Sequence, residues 1–327
     1  MRPQGRDPRE VIVDTKRHHQ FVQREAFIFP GQGAQQVGMG FDLYQSSPAA
    51  RKVFDTADKV LGIPLSRLIL EGPQEALDRT VNAQPAIMTV SIACLEAARE
   101  HLGSVPSPSF VAGHSLGEYT ALVANGVLDL AEAIQLVRRR GELMQQASDR
   151  YPGGMAAILG LDEFTLEEVC EETGAKVANV NSDDQIVISG DKLALARAMD
   201  LATARGARKT VALPVSGAFH STLMWPALEG LGEAIDKLDF SAPQVTIIGN
   251  VRAKPIDTAE EVKGELLSQL SHCIQWKRSV EYMTNSGVLD FVEFGPGRVL
   301  SGLVKRICRT ANATSVNDLA SADQLAV

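Results

Sequence analysis

The sequence predicts an α/β protein with a largely parallel sheet and a smaller unit inserted into it. Short β-like runs end in glycine-containing turns at AFIFPGQG (26–33), SFVAGHSLG (109–117), TIIGN (246–250) and DFVEFGPG (290–297). Helical patterns separate them, for example over 51–61, 85–102 and 130–148. Between residues 153 and 213 the order changes to β-α-β-β-α-β, the ferredoxin-like pattern. Apolar strands alternating with helices give a parallel sheet. In such sheets functional groups collect on loops at the carboxyl ends of the strands, so all four glycine turns are placed to face one cleft.

Taken in order, residues 1–24 mix both charge signs without an apolar block. They read as a flexible N-terminal extension, unlike a signal or transit peptide. Residues 25–150 and 215–318 then make the large α/β unit, 151–214 the small one and 319–327 a C-terminal tail. Asp129 is placed to cap the helix LAEAIQLVRRRGELMQQAS. In the small unit GMAAILGL reads as a strand and TLEEVCEET as a helix with Thr165 near its start. KVANVNSDDQIVISG gives two strands around a polar turn, KLALARAMDLATARG a helix ending at Gly206, and RKTVALPV a final strand.

A chain of 327 residues, 45% hydrophobic and 22% charged, can bury a sizeable core without staples. The formal net charge of −8 argues against nucleic acid as a partner. Cys94, Cys170, Cys273 and Cys308 form no CxxC pair and the histidines no HExxH spacing, so neither a disulfide framework nor a metal site is expected. No apolar run is long enough to span a bilayer. The expected address is cytoplasmic, and a monomer is expected because no interface helix stands out.

Chemistry enters at GHSLGEY, residues 113–119. A strand, a GxSxG turn and a helix make a nucleophile elbow, which gives the large unit an α/β-hydrolase-like core. The turn projects Ser115 into a cleft at a helix start, and the Leu116 amide is the usual first oxyanion donor. The competing reading is a glycine turn with an idle serine. A nucleophilic serine needs a base. Side chains diverge at an elbow, so His114 is expected to pack under the turn. His18, His19 and His101 lie in polar surroundings, and His272 follows a helix-like segment as a cap or core residue. His220, in PVSGAFHSTLMW, sits where the chain returns from the small unit to the large one. A cleft between units is a natural ligand site; a satisfied loop histidine is the alternative.

At 100° per residue, Leu130, Ala133, Ile134, Val137, Gly141 and Met144 share one helix face. Arg139 lies opposite and Arg138 at the margin, but Arg140 falls inside the apolar arc. A buried guanidinium is costly without an anionic partner. Arg140 either awaits a ligand carboxylate, which its planar fork binds in bidentate fashion, or makes a structural salt bridge or snorkels outward.

Together the motifs FPGQGAQ, QPAI (84–87), GHSLGEY, RGELMQ (140–145), NVNSDDQIVISG, GAFHS (217–221) and VEFGPGRVL (292–300) resemble a known family. The sequence is similar to the malonyl-CoA:acyl carrier protein transacylases of type II fatty acid synthesis and to the acyltransferase domains of polyketide synthases. The resemblance implies Ser115 as the acylated nucleophile, His220 as its base, and the backbone amides of Gln32 and Leu116 as the oxyanion hole. Arg140 would hold the malonate carboxylate. A backbone carbonyl, at Gln269 in SQLSHCIQW, would orient the histidine; many relatives have proline where this chain has Cys273. Asn181 matches an asparagine near the substrate. Phe219, beside His220, would crowd a 2-methyl branch and favour malonyl over methylmalonyl.

The reaction so implied is a ping-pong transfer of malonyl from malonyl-CoA, through a malonyl-serine ester, to the phosphopantetheine thiol of acyl carrier protein. No bound cofactor is expected. His220 must be neutral, a form that a nearby helix N-terminus favours. Carrier proteins are acidic, so Arg205, Arg208, Lys209, Arg298, Lys305 and Arg306 are candidates for a basic cleft mouth. A trans-acting polyketide acyltransferase, a thioesterase or esterase, and a catalytically idle carrier-binding scaffold are the alternatives.

Overall fold

The structure, a computed structural model, describes residues 24–325. The expected N-terminal extension, with His18 and His19, therefore lies outside the described residues apart from Arg24, which opens the first strand. In chain order the strands are β1 (Arg24–Phe29), β2 (Phe110–Gly113), β3 (Gly153–Leu159), β4 (Lys176–Ser182), β5 (Gln185–Asp191), β6 (Lys209–Ala212), β7 (Thr246–Ile248), β8 (Pro255–Ile256), β9 (Val288–Phe294) and β10 (Asn312–Val316).

One sheet has the order β10-β9-β1-β2-β7-β8, parallel throughout except for the edge strand β8. It is covered on both faces, which is why its strands are short apolar runs. Phe27, Phe29, Val111 and Phe294 point to one face and pack with the long helix Thr80–Leu102. Ala26, Ile28, Phe110 and Ala112 point to the other, against Trp276, Leu300 and Leu303. Because β1, β2, β7 and β9 run the same way, the four glycine turns after them leave the same edge of the sheet.

The second sheet, β4-β5-β3-β6, is antiparallel and follows the β-α-β-β-α-β order. Its helices Glu163–Thr173 and Lys192–Ala204 begin at Asp162 and Asp191, whose carboxylates accept backbone N–H bonds at the first turn. Two backbone bonds fasten this unit to the large one: Val180 N–H donates to Ile274 at 2.9 Å and Ile274 N–H to Ala178 at 2.8 Å. They fix the loop that carries Cys273.

The helices run longer than their apolar patterns. Ser47 caps a helix at Pro48–Leu61, with proline in the first turn where its missing N–H is harmless. The next long helix starts at Thr80, so Pro85 lies inside it. Proline leaves the Val81 carbonyl without its helical donor, and Arg138 Nη1 donates to that oxygen at 3.2 Å. The helix capped by Asp129 extends to Arg150. The stretch expected as a C-terminal tail forms a helical turn at Leu319–Ala322, with Ala322 buried and His101 paired to Asp323 at 2.7 Å.

Candidate active site

β1 and β2 lie side by side, with Phe29 opposite Gly113. The chain leaving β2 turns so sharply that a Cβ on Gly113 would stand 1.9 Å from the Gly117 carbonyl carbon, and one on Gly117 would stand 2.0 Å from the Phe29 oxygen. Only glycine fits at either place. Ser115, between them, adopts φ 52° and ψ −105°, a strained conformation for a side-chain-bearing residue. Two hydrogen bonds hold it there. Ser115 N–H donates to Asn250 Oδ1 at 2.7 Å, and Gln269 Nε2 donates to the Ser115 carbonyl at 2.9 Å.

His220 is brought to this serine from 105 residues away, its Nε2 standing 2.9 Å from Ser115 Oγ. Its Nδ1–H donates to the Gln269 carbonyl at 2.8 Å, which fixes Nε2 as the free acceptor. The backbone at His220 is also left-handed, φ 57°. Burial, and then the positive charge of Arg140, push the imidazole down to about 3. The neutral form thus follows from burial and a neighbouring cation.

Arg140 is 2% exposed, so it does not snorkel. Nor does it make a direct salt bridge among the described residues. Nη1 donates to Gln84 Oε1 at 2.7 Å, and Nη2 donates to Gln269 Oε1 at 2.8 Å and to Ser115 Oγ at 3.2 Å. The guanidinium also lies over the Tyr119 ring at 5.1 Å. Neutral amides take only two of the guanidinium N–H donors, and the buried Nε has no partner among the described residues. The fork therefore keeps free donors, and its charge meets no carboxylate directly. That is a seat for an anionic group.

Gln32 leaves β1 on the loop beside the elbow, where a Cβ on Gly31 would meet the His114 carbonyl at 2.4 Å. Its side chain accepts from Thr80 Oγ1 at 2.8 Å, and Thr80 in turn accepts from Gln84 Nε2 at 2.9 Å. Gln32 is thus linked through Thr80 and Gln84 to Arg140. Among the described residues no acceptor takes the amide of Gln32 or of Leu116. Two spare N–H donors flanking a nucleophile match an oxyanion hole.

His114 does not pack away under the turn. It stacks at a tilt on Trp276, centroids 5.7 Å apart, and its Nε2 lies 2.9 Å from Asn181 Oδ1. With Gln32, Asn181, Val187, Val299 and Leu303 it lines a cavity of about 240 Å³ between the two sheets, next to the elbow. Phe219 is 5% exposed and packs in the apolar core beside His220. His101 is on the surface, and His272 Nδ1–H donates to the Ser268 carbonyl at 2.8 Å, as a helix-end residue. Of the basic candidates, Arg205 is paired with Glu168 and Glu172 and Arg208 with Asp184. Arg298, Lys305 and Arg306 cluster on and before the helix Val299–Ile307, whose Val299 and Leu303 line the cavity.

Sequence reasoning passed over Glu118, Asn250 and the side chain of Gln269. Glu118 is 1% exposed; its Oε1 accepts from Asn250 N–H at 3.0 Å and its Oε2 accepts from Gln269 Nε2. Burial and nearby Glu265 raise this carboxyl, while the donors and Arg140 pull it back. The signal was present: Glu118, like Arg140, is an ionisable residue in an otherwise buried helix, LGEYTALVA. Among the described residues no cluster of His, Cys, Asp and Glu is arranged to hold a metal.

This geometry has close relatives. Residues 26–324 match the acyl transferase domain model. The chain is 46% identical over 302 residues to the malonyl CoA-acyl carrier protein transacylase of Bacillus subtilis, covering 91% of this chain and 94% of the relative. A crystal structure of an acyl carrier protein S-malonyltransferase from Vibrio cholerae superposes with a TM-score of 0.89 at 40% identity, over 93% of this chain and all of the other. A malonyl-transacylase solved in complex with a type II polyketide acyl-carrier protein gives a TM-score of 0.90, also at 40% identity, over 93% of this chain and 99% of the other.

Proposed function

The chain belongs to the acyl transferase domain family, and from that membership we propose that it transfers malonyl from malonyl-CoA to the phosphopantetheine thiol of acyl carrier protein in fatty acid synthesis. The observation that carries the proposal is a serine and histidine 2.9 Å apart, with a buried arginine donating to the same serine oxygen at 3.2 Å. A plain esterase has no use for a fixed cation at that place; an acyl group with a free carboxylate does.

Ser115 Oγ attacks the thioester carbonyl as His220 Nε2 takes its proton. The N–H groups of Leu116 and Gln32 hold the oxyanion, and Arg140 grips the distal carboxylate so that the carbonyl is presented to Oγ. Collapse expels the CoA thiolate, which takes the proton from His220 and leaves a malonyl-serine ester. The carrier's thiol then attacks that ester; its proton passes through His220 back to Ser115 Oγ as the ester breaks. The chain's own residues supply every proton transfer, so no bound cofactor has a part in these steps. Asn181 and His114 reach the acyl chain or pantetheine from the cavity wall, and the buried Phe219 ring narrows the space for a 2-methyl branch.

In finer architecture, the elbow supports an α/β-hydrolase-like core over 25–150 and 215–318, and the β4-β5-β3-β6 order supports a ferredoxin-like unit over 151–214. The carrier docks across the mouth between them, at Arg298, Lys305 and Arg306. We place the reaction in the cytoplasm and assign it to a monomer; no helix among the described residues is long and apolar enough to cross a membrane.

Incubation with malonyl-CoA and holo carrier protein tests the reading. Malonyl-carrier protein is the expected product, at many times the rate of free malonate release. Free malonate with unmodified carrier protein would establish a thioesterase instead.

A further inference from the structure

Three parts of the site depend on residues that touch no substrate in the steps above. The strained Ser115 backbone is held at its N–H by Asn250 Oδ1 and at its carbonyl by Gln269 Nε2. His220 is oriented by the Gln269 carbonyl, and Arg140 by Gln269 Oε1. Asn250 and Gln269 come from different elements, the turn after β7 and the helix Ala259–Ser271. They meet at one group, the Glu118 carboxyl: Oε1 accepts from Asn250 N–H and Oε2 from Gln269 Nε2. Asn250 is pinned further, its Nδ2 donating to the Gly113 carbonyl at 2.7 Å.

We propose that Glu118 is the positioning residue of malonyl recognition, holding Gln269 so that Arg140 is fixed yet left open to a carboxylate. The arrangement is a carboxyl, an amide and a guanidinium in series. Gln269 faces Glu118 with its Nε2 and Arg140 with its Oε1, so the amide turns its donor to the carboxyl and its acceptor to the cation. A carboxylate bonded directly to Arg140 would fill the fork that the substrate needs. No carboxyl at all would remove the Glu118 acceptor that holds the Gln269 amide toward Arg140. One amide of separation stabilises the cation and keeps its fork available. The geometry leaves Gln269 no freedom to flip, since reversing it would set its Nε2 against the Arg140 donors.

The inference rests on the malonyl transfer reading, and the test keeps the two apart. Serine acylation is measured on the full chain by quenched-flow mass spectrometry, with malonyl-CoA and with acetyl-CoA as a carboxylate-free probe. If the parent protein is not malonylated, the activity itself is wrong and the inference falls with it. Otherwise Glu118→Gln, which sets an amide N–H₂ against N–H donors, is expected to slow malonylation about 100-fold, the effect of stranding a buried donor. Acetylation shares the Ser115 and His220 supports but not Arg140, so it is expected to fall less, and the malonyl-to-acetyl ratio drops at least about tenfold. Glu118→Asp, which keeps the carboxyl, recovers part of the ratio. A merely structural glutamate would lower both substrates equally through loss of active protein. Folded E118Q with a ratio within about threefold of the parent overturns the proposal. Should E118Q not fold, Gln269→Met serves, because it keeps the carbonyl to His220 and removes only the amide. It too must lose the ratio, and a retained ratio overturns the proposal.

Discussion

His220 stays a free base because it is buried and faces Arg140, which together push it down to about 3. The rate of Ser115 acylation should therefore show no break near the ordinary histidine value of 6.5 when followed from pH 5 to 8; a tenfold fall on passing below pH 6.5 would refute the assignment. The same shift has a stability consequence. The unfolded chain takes up the His220 proton near 6.5 and the folded chain only near 3, so this contribution is fully present above pH 6.5 and is lost as pH falls toward 3. Denaturant titrations from pH 7 to 4 would read it. For Arg140→Ala, removal of a buried charge partner is expected to weaken malonyl-CoA by about 2–5 kcal/mol while leaving acetyl-CoA nearly unchanged, measured as the two kcat/KM values. Arg140 was legible in the sequence because a helical period placed it inside an apolar arc. Glu118 carried the same signal, a charge in an apolar helix, but its partner Asn250 did not: Asn250 lies 132 residues from Glu118 and 135 from Ser115, and no local pattern encodes such a meeting.

At the scale of elements, the elbow depends on close backbone approach more than on any side chain. Gly117→Ala places a Cβ 2.0 Å from the Phe29 oxygen, so the helix Leu116–Ala124 must move away from β1. Overpacking of this kind costs about 1–3 kcal/mol, and the shift carries the Leu116 amide with it. A fall in unfolding midpoint together with a loss of acylation rate is expected; unchanged values for both would show that the turn relaxes freely. The β-α-β-β-α-β order was readable because each of its elements carries its own period and its own aspartate or glycine punctuation. The start of the Thr80–Leu102 helix was not. Proline at 85 reads as a helix boundary, and the Arg138 side chain that satisfies the freed Val81 carbonyl comes from another helix.

Across the whole molecule, the site exists only where the two units meet. Ser115, Arg140, His220 and Gln269 come from four separate stretches of the large unit, and Asn181 approaches from the small one, tied in place by the Ile274 bridge. On the proposed docking mode a carrier protein reaches this centre past the helix Val299–Ile307. Lys305→Glu with Arg306→Glu is expected to raise KM for carrier protein about tenfold or more, with a strong dependence on salt, and to leave acylation by malonyl-CoA alone unchanged. Equal carrier kinetics in the variant would move the docking face elsewhere. In the proposed transfer malonyl passes through an ester on Ser115. Brief mixing with malonyl-CoA, followed by intact-protein mass spectrometry and peptide mapping, tests it most directly. One malonyl group on the peptide containing Ser115, discharged on adding holo carrier protein and absent from Ser115→Ala, is the predicted result. CoA release with no adduct at that serine, or an adduct that the carrier protein cannot discharge, would contradict it.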